Sequence, residues 1–315
     1  RRMTNNMKLC VVYPQAEFGT DPDRIGEYAI RAEELGYDQL VAYEHVLGAN
    51  PEVHRLTGPY THETNFMEPF VLFGYLSAVT TTIELVMGVL VLPQRQTALV
   101  AKQAATLDLL CKGRLVLGVG VGWNQVEYQA LGEGFSSRGR RIEEQIPLLR
   151  SLWSEQLVDF TGEFDTISAA GICPRPSNNE IPIWMGGWDE RVLRRLGRLG
   201  DGWLTANGHP KNQATWSPDR IRTPEHLERR VGIVREAALE SGRDPNGIAV
   251  SMLVGSIGFD GLEEWDPMSW ALRAKCWKAA GATHALLSTL DLGFSQEEHL
   301  EALGSFRQAW IEVGN

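Results

Sequence analysis

Apolar and polar positions along this chain fall into two alternating patterns. Short continuous apolar runs read as strands covered on both faces, and longer stretches with apolar residues three and four apart read as helices. The runs at 8–13, 39–43, 83–92, 115–119, 181–185, 203–206, 248–254 and 282–287 are strand-like. Each is followed by a helical pattern, at 21–35, 69–79, 98–110, 137–153, 190–199, 225–241, 268–280 and 296–313. Start signals support these assignments: Asp21-Pro22-Asp23 places a cap and a first-turn proline ahead of the first helix, and Gly36 closes it. On the 98–110 helix the expected core face is Leu99, Ala101, Ala105 and Leu109. Residues 47–64 and 208–222 are long polar loops, and 158–167 reads as a short hairpin around Gly162.

Eight strand-then-helix units imply parallel strands with helices packed outside. Eight such units in 315 residues fit one α/β domain over residues 1–315, a closed (β/α)8 TIM barrel with insertion loops at its C-terminal face. A doubly wound open sheet is the alternative, although it usually has fewer strands.

Charge narrows the partners. A formal net charge of -10 opposes nucleic acid and anionic membrane surfaces, both of which select basic patches. No run of 18 apolar residues occurs, so no membrane span is expected. Cys10, Cys111, Cys173 and Cys276 lie far apart without metal-ligand or disulfide spacing. Free thiols in a reducing compartment are the simplest reading. The first residues lack a signal-peptide core, and a cytoplasmic location is the expectation.

Barrel active sites lie at the carboxyl ends of the strands, so the residues after each strand carry the candidate chemistry. The strongest signal is Gly118-Val119-Gly120-Val121-Gly122-Trp123-Asn124 after strand four, where glycine at every second position lets the backbone approach something closely. Gly186-Gly187 ends strand five just before a helix, where free backbone N–H groups favour a phosphate. The competing reading is tight turns that need positive φ. The glycine spacing is not the dinucleotide G-x-G-x-x-G fingerprint, and no Walker lysine follows. His45, beside Glu44 after strand two, is the best candidate for acid–base work. The competing reading is a surface or structural histidine. Trp123 and Trp188 could wall a planar ring or simply pack. His54, His62 and His209 lie in long loops and read as solvated, as does the Arg138, Arg140 and Arg141 group before Glu143-Glu144. Neither H-E-x-x-H nor G-x-S-x-G occurs.

Several of these segments together resemble the luciferase-like oxidoreductases. They are Ala101 to Asp108, Gly113 to Asn124, Ile181 to Gly187, Leu199 to Trp203, Glu44-His45 and Val89 to Pro93. The likeness spans nearly the whole chain and is strongest for members labelled F420-dependent. It implies a (β/α)8 barrel with reduced coenzyme F420 in its mouth, passing hydride to an unsaturated or aromatic small molecule. The alternatives are a two-component monooxygenase that uses reduced FMN and a non-catalytic flavin-binding protein. The resemblance implies that His45 lies by the reactive ring, and the adjacent Glu44 is expected to orient it. It implies cofactor contacts at Gly88 and Val89, where a non-proline cis peptide would prop the ring. It implies that Gly120, Gly122, Gly186 and Gly187 lie near the cofactor's phosphate, and their neighbours Val121, Trp123, Asn124 and Met185 are further candidate cofactor contacts. A homodimer and a separate flavin or F420 reductase are the implied partners. Two positions depart from the family. Val121 stands where luciferase has a phosphate-binding arginine. Trp123 stands where the sugar-phosphate dehydrogenase has a catalytic glutamate, which points to an apolar or aromatic substrate.

Overall fold

A computed structural model describes residues 6–205, 221, 223–255 and 264–314. In chain order its strands are β1 (Lys8–Val12), β2 (Gln39–Ala42), β3 (Glu84–Met87), β4 (Leu90–Val91), β5 (Leu115–Gly120), β6 (Val158–Thr161), β7 (Thr166–Ala170), β8 (Ile183–Gly186), β9 (Gly202–Leu204), β10 (Ala249–Gly255) and β11 (His284–Ser288). The helices are α1 (Pro22–Glu34), α2 (Pro69–Val79), α3 (Thr97–Leu110), α4 (Gln125–Ala130), α5 (Arg138–Ser154), α6 (Glu190–Leu199), α7 (Pro224–Glu240), α8 (Pro267–Ala279) and α9 (Gln296–Glu312).

Strands β1, β2, β3, β5, β8, β9, β10 and β11 pair in that order, all parallel, and β11 returns to β1. The ring is closed, which is the expected (β/α)8 barrel. Strands β6 and β7 form the expected antiparallel hairpin outside it. The Glu144 carboxylate on α5 fastens that hairpin's turn by accepting the N–H groups of Glu163, Phe164 and Asp165.

Side-chain alternation divides the core into two layers. Cys10, Val12, Val41, Val86, Val116, Trp184, Leu204, Leu253 and Leu286 fill the barrel. Their strand neighbours Leu9, Val11, Leu40, Leu85, Leu115, Leu117, Ile183, Met185, Trp203 and Met252 face the helices.

Two expectations need correction. The third strand is not continuous over 83–92. The peptide between Gly88 and Val89 is cis, and β3 and β4 pair separately with β5 before a 3-10 turn at Leu92–Gln94. The buried stripe of α3 is Thr97, Val100, Ala101, Ala104, Ala105, Leu107 and Asp108, while Leu99 and Leu109 are exposed. The extra helix α4 follows Asn124 directly. His209 lies outside the described residues, as does most of the 208–222 loop.

Candidate active site

At the carboxyl end of β2 the chain releases Tyr43, Glu44 and His45 toward the barrel mouth. Glu44 does not reach His45. Its buried carboxylate accepts the Val91 N–H at 2.5 Å and pairs with Arg95, which also pairs with Glu68 at 3.0 Å. Burial pushes the Glu44 carboxyl up, against the pull of Arg95 and the Val91 N–H. Glu44 therefore ties β2 to the turn after β4, which corrects its expected role as the partner of His45.

The carboxylate that meets His45 belongs to Glu127 on α4, with His45 Nδ1 3.3 Å from Glu127 Oε2. Glu127 also accepts the backbone N–H groups of Val46 at 2.5 Å and Leu47 at 3.2 Å, and the Gln94 side-chain amide at 3.1 Å. Burial works to raise its titration, but His45, Gln94 and the backbone donors outweigh burial and hold it below the ordinary carboxylate range. The His45 ring is walled by Tyr60, Phe66 and Trp123, with centroids 5.5, 5.1 and 5.3 Å away. Tyr60 and Phe66 come from the long loop after β2. Gly58 of that loop lies against the Trp123 indole so closely that a Cβ there would enter the ring. The loop, the imidazole and the indole thus form one aromatic roof.

Val89 stands between β3 and β4, on the segment that follows the cis peptide. It packs with Tyr43 on the filling of the barrel, and the Tyr43 hydroxyl meets Ser288 across the mouth. Gly120 and Gly186 flank Val89: a Cβ on either would come 2.5 Å or 2.9 Å from its methyl groups. The partner of the strand-four glycine run is therefore the β3–β4 segment of the same barrel. Gly122 (φ +62°) and Gly187 (φ +127°) occupy backbone conformations that disfavour side chains. Trp203 Nε1 donates to Gly187 O at 2.7 Å and fixes that turn.

The remaining candidates fall in different places. The Asn124 side chain caps α4 by accepting the N–H groups of Val126 and Glu127, and its amide donates to Leu47 O. Its position thus supports Glu127 and the loop. The Met185 side chain lies in the outer layer facing the helices, and Val121 packs against that layer too, so neither side chain faces the barrel interior. Trp188 is half-buried and makes contacts of its own. The head of α6 after Gly186-Gly187 already carries an anion, because the Asp189 carboxylate accepts the Arg191 N–H at 2.8 Å. An incoming phosphate would share that helix end rather than find it free. Arg140 pairs with Glu163 and Arg141 with Glu133, while Arg138 stacks on Phe135 at 3.7 Å. His54 and His62 are exposed, as expected.

Glu127, Tyr60 and Phe66 were not expected. A signal for Glu127 does exist: Asn124-Gln125-Val126-Glu127 is a cap residue with an acid at the third helical position, which returns the acid toward the preceding chain. The aromatic pair carries no periodic signal, because it lies in an irregular loop. Among the described residues no cluster of His, Cys, Asp and Glu could hold a metal ion, and no helix is long and apolar enough to cross a membrane.

Residues 9–257 match the family described as luciferase-like monooxygenase. The chain is 31% identical over 229 residues to the pyrimidine monooxygenase RutA of Allorhizobium ampelinum, covering 71% of this chain and 57% of that protein. It is 31% identical over 198 residues to an F420-dependent glucose-6-phosphate dehydrogenase of Amycolatopsis mediterranei, covering 61% of this chain and 55% of that enzyme. In fold it is similar to the coenzyme F420-dependent tetrahydromethanopterin reductase of Methanopyrus kandleri. That match has a TM-score of 0.74 and 16% identity, over 98% of this chain and 99% of the other.

Proposed function

This chain belongs to the luciferase-like monooxygenase family, and on that premise we propose that it binds reduced coenzyme F420 in the barrel mouth and reduces an unsaturated or aromatic small molecule. The observation that carries this reading is the cluster of His45 with Tyr60, Phe66 and Trp123 after β2, together with Val89 set between Gly120 of β5 and Gly186 of β8. A flat conjugated ring suits a site with an aliphatic floor between two glycines and aromatic walls. The deazaflavin, when bound, supplies a hydride to an electrophilic carbon. His45, protonated at its free ring nitrogen by solvent, would give the accompanying proton to the neighbouring atom, so that the substrate would gain two electrons and two hydrogens. Tyr60, Phe66 and Trp123 exclude water and favour an apolar substrate over a sugar phosphate.

A second reading, oxygen activation with reduced FMN, is favoured by the likeness to RutA. Against it, Val121 stands where an arginine would hold the flavin phosphate. Anaerobic titration of the protein with F420 and with FMN, each followed by ring absorbance, separates the two. Binding of F420 at least about tenfold tighter than FMN, about 1.4 kcal/mol, is expected. Tight FMN binding without F420 binding would overturn the deazaflavin reading. Binding without turnover over a broad substrate panel would leave a flavin-binding protein instead of an enzyme.

A further inference from the structure

We propose that Glu127 is the positioning residue that fixes His45 in the Nδ1–H tautomer and so makes Nε2 the atom that gains and loses the proton. The proposal rests on the proton-transfer role assigned to His45 above. Three donors besides His45 converge on the Glu127 carboxylate: the Val46 N–H, the Leu47 N–H and the Gln94 amide. A carboxylate that accepts from every side has no proton to give. The contact at 3.3 Å must therefore run from Nδ1–H to Oε2. A neutral imidazole that carries its hydrogen on Nδ1 presents a lone pair at Nε2.

The geometry around the pair keeps this choice fixed. The imidazole is held edge to face by Phe66 and Trp123, and its Cβ side by the backbone that Glu127 grips at Val46 and Leu47. Glu127 is itself 1% exposed and stands on a helix capped by Asn124. The glycine run of β5 therefore delivers, one turn later, the group that orients the imidazole at the end of β2.

A Glu127→Gln substitution tests this directly. The two backbone N–H groups claim the new amide's oxygen, which turns its NH2 toward His45. An NH2 donates, so the ring must offer a lone pair at Nδ1 and move its hydrogen to Nε2. Nitrogen-15 NMR of histidine-labelled protein reads this without any cofactor, with His45 assigned by the signal lost in His45→Asn. The expected result, at a pH where the ring is neutral, is a protonated-type Nδ1 in the wild type and a protonated-type Nε2 in Glu127→Gln. With cofactor and substrate, kcat should fall at least about tenfold, while cofactor Kd and substrate KM stay within about threefold. A wild-type spectrum with the hydrogen on Nε2 would overturn the proposal, and needs no variant to fold. The same tautomer in both proteins, or an unchanged kcat, would overturn it as well. If the wild type binds neither F420 nor FMN, the cofactor reading fails, and the spectra still decide the pairing.

Discussion

Val89 projects from the segment between β3 and β4 into a space bordered by β5 and β8, and its two methyl groups decide what can stand beside it. On β5 that neighbour is Gly120, on β8 it is Gly186, and both backbones are fixed by parallel pairing. Because neither strand can retreat, a methyl added at Gly120 must displace Val89. We expect Gly120→Ala to cost about 1–3 kcal/mol, the usual range for an overpacked core. Shortening the neighbour removes the clash, so Val89→Ala combined with Gly120→Ala should be more stable than the sum of the two single changes predicts. Urea unfolding of the two single variants and the double variant measures this. Strict additivity would mean that Gly120 is glycine for some contact other than Val89. The alternating glycines are plain in the sequence, but what they approach is not. A chain written in one dimension does not show which residue of a distant strand fills the gap. The same limit hid Glu127 and misplaced Glu44, two acids whose partners lie 82 and 51 residues away.

At the level of elements, Arg114 joins three of them just before β5 begins. Its buried guanidinium donates to Cys111 O after α3, to Thr80 Oγ1, Thr80 O and Ser77 O at the end of α2, and to Ile83 O ahead of β3. Every acceptor is neutral, so the charge is balanced by carbonyl dipoles spread in the plane of the fork. A lysine has three donors on one point and cannot span that fan. We expect Arg114→Lys to lose about 2–4 kcal/mol through unmet buried carbonyls, read as a lower midpoint in thermal melts. A loss below about 0.5 kcal/mol would show that the fork is not needed to join α2 and α3. Helix starts were legible at this scale because caps are local: Asp21, Asp189 and Ser295 each accept a first-turn N–H. The buried face of α3 was only half legible. Its stripe contains Ala101, Ala104 and Ala105, small residues that bring the helix close while Leu99 and Leu109 lie outside. Ala101 and Ala105 lie on the core face as expected, but hydrophobicity drew the expectation to the two exposed leucines in place of Val100, Ala104 and Leu107.

The whole molecule has two unlike ends, and eightfold alternation made the barrel itself legible while saying nothing of how its closed end is built. At the amino ends of the strands, Lys8 pairs with Glu84, Gln39 donates to Glu84, and the Cys10 thiol donates to Gln39. His284 starts β11 there, edge-on to Trp184 at 4.9 Å, with Nδ1 2.7 Å from the Thr283 hydroxyl. Burial, helped by the nearby Lys8 charge, pushes its imidazole down to about 3. In the unfolded chain it titrates near the ordinary 6.5. As pH falls below that value the unfolded chain binds the proton and the folded barrel does not. Stability is therefore intact at neutral pH and declines toward pH 3 by up to about 1.4 kcal/mol per pH unit from this one residue. Replacing it with a ring that cannot titrate should flatten the acid limb. His284→Phe keeps the edge contact with Trp184 and gives up the Thr283 hydrogen bond, an offset independent of pH. Urea unfolding of both proteins at a series of pH values between about 6.5 and 4 should give a shallower slope for the variant. Parallel slopes would move the acid sensitivity of the barrel to other groups.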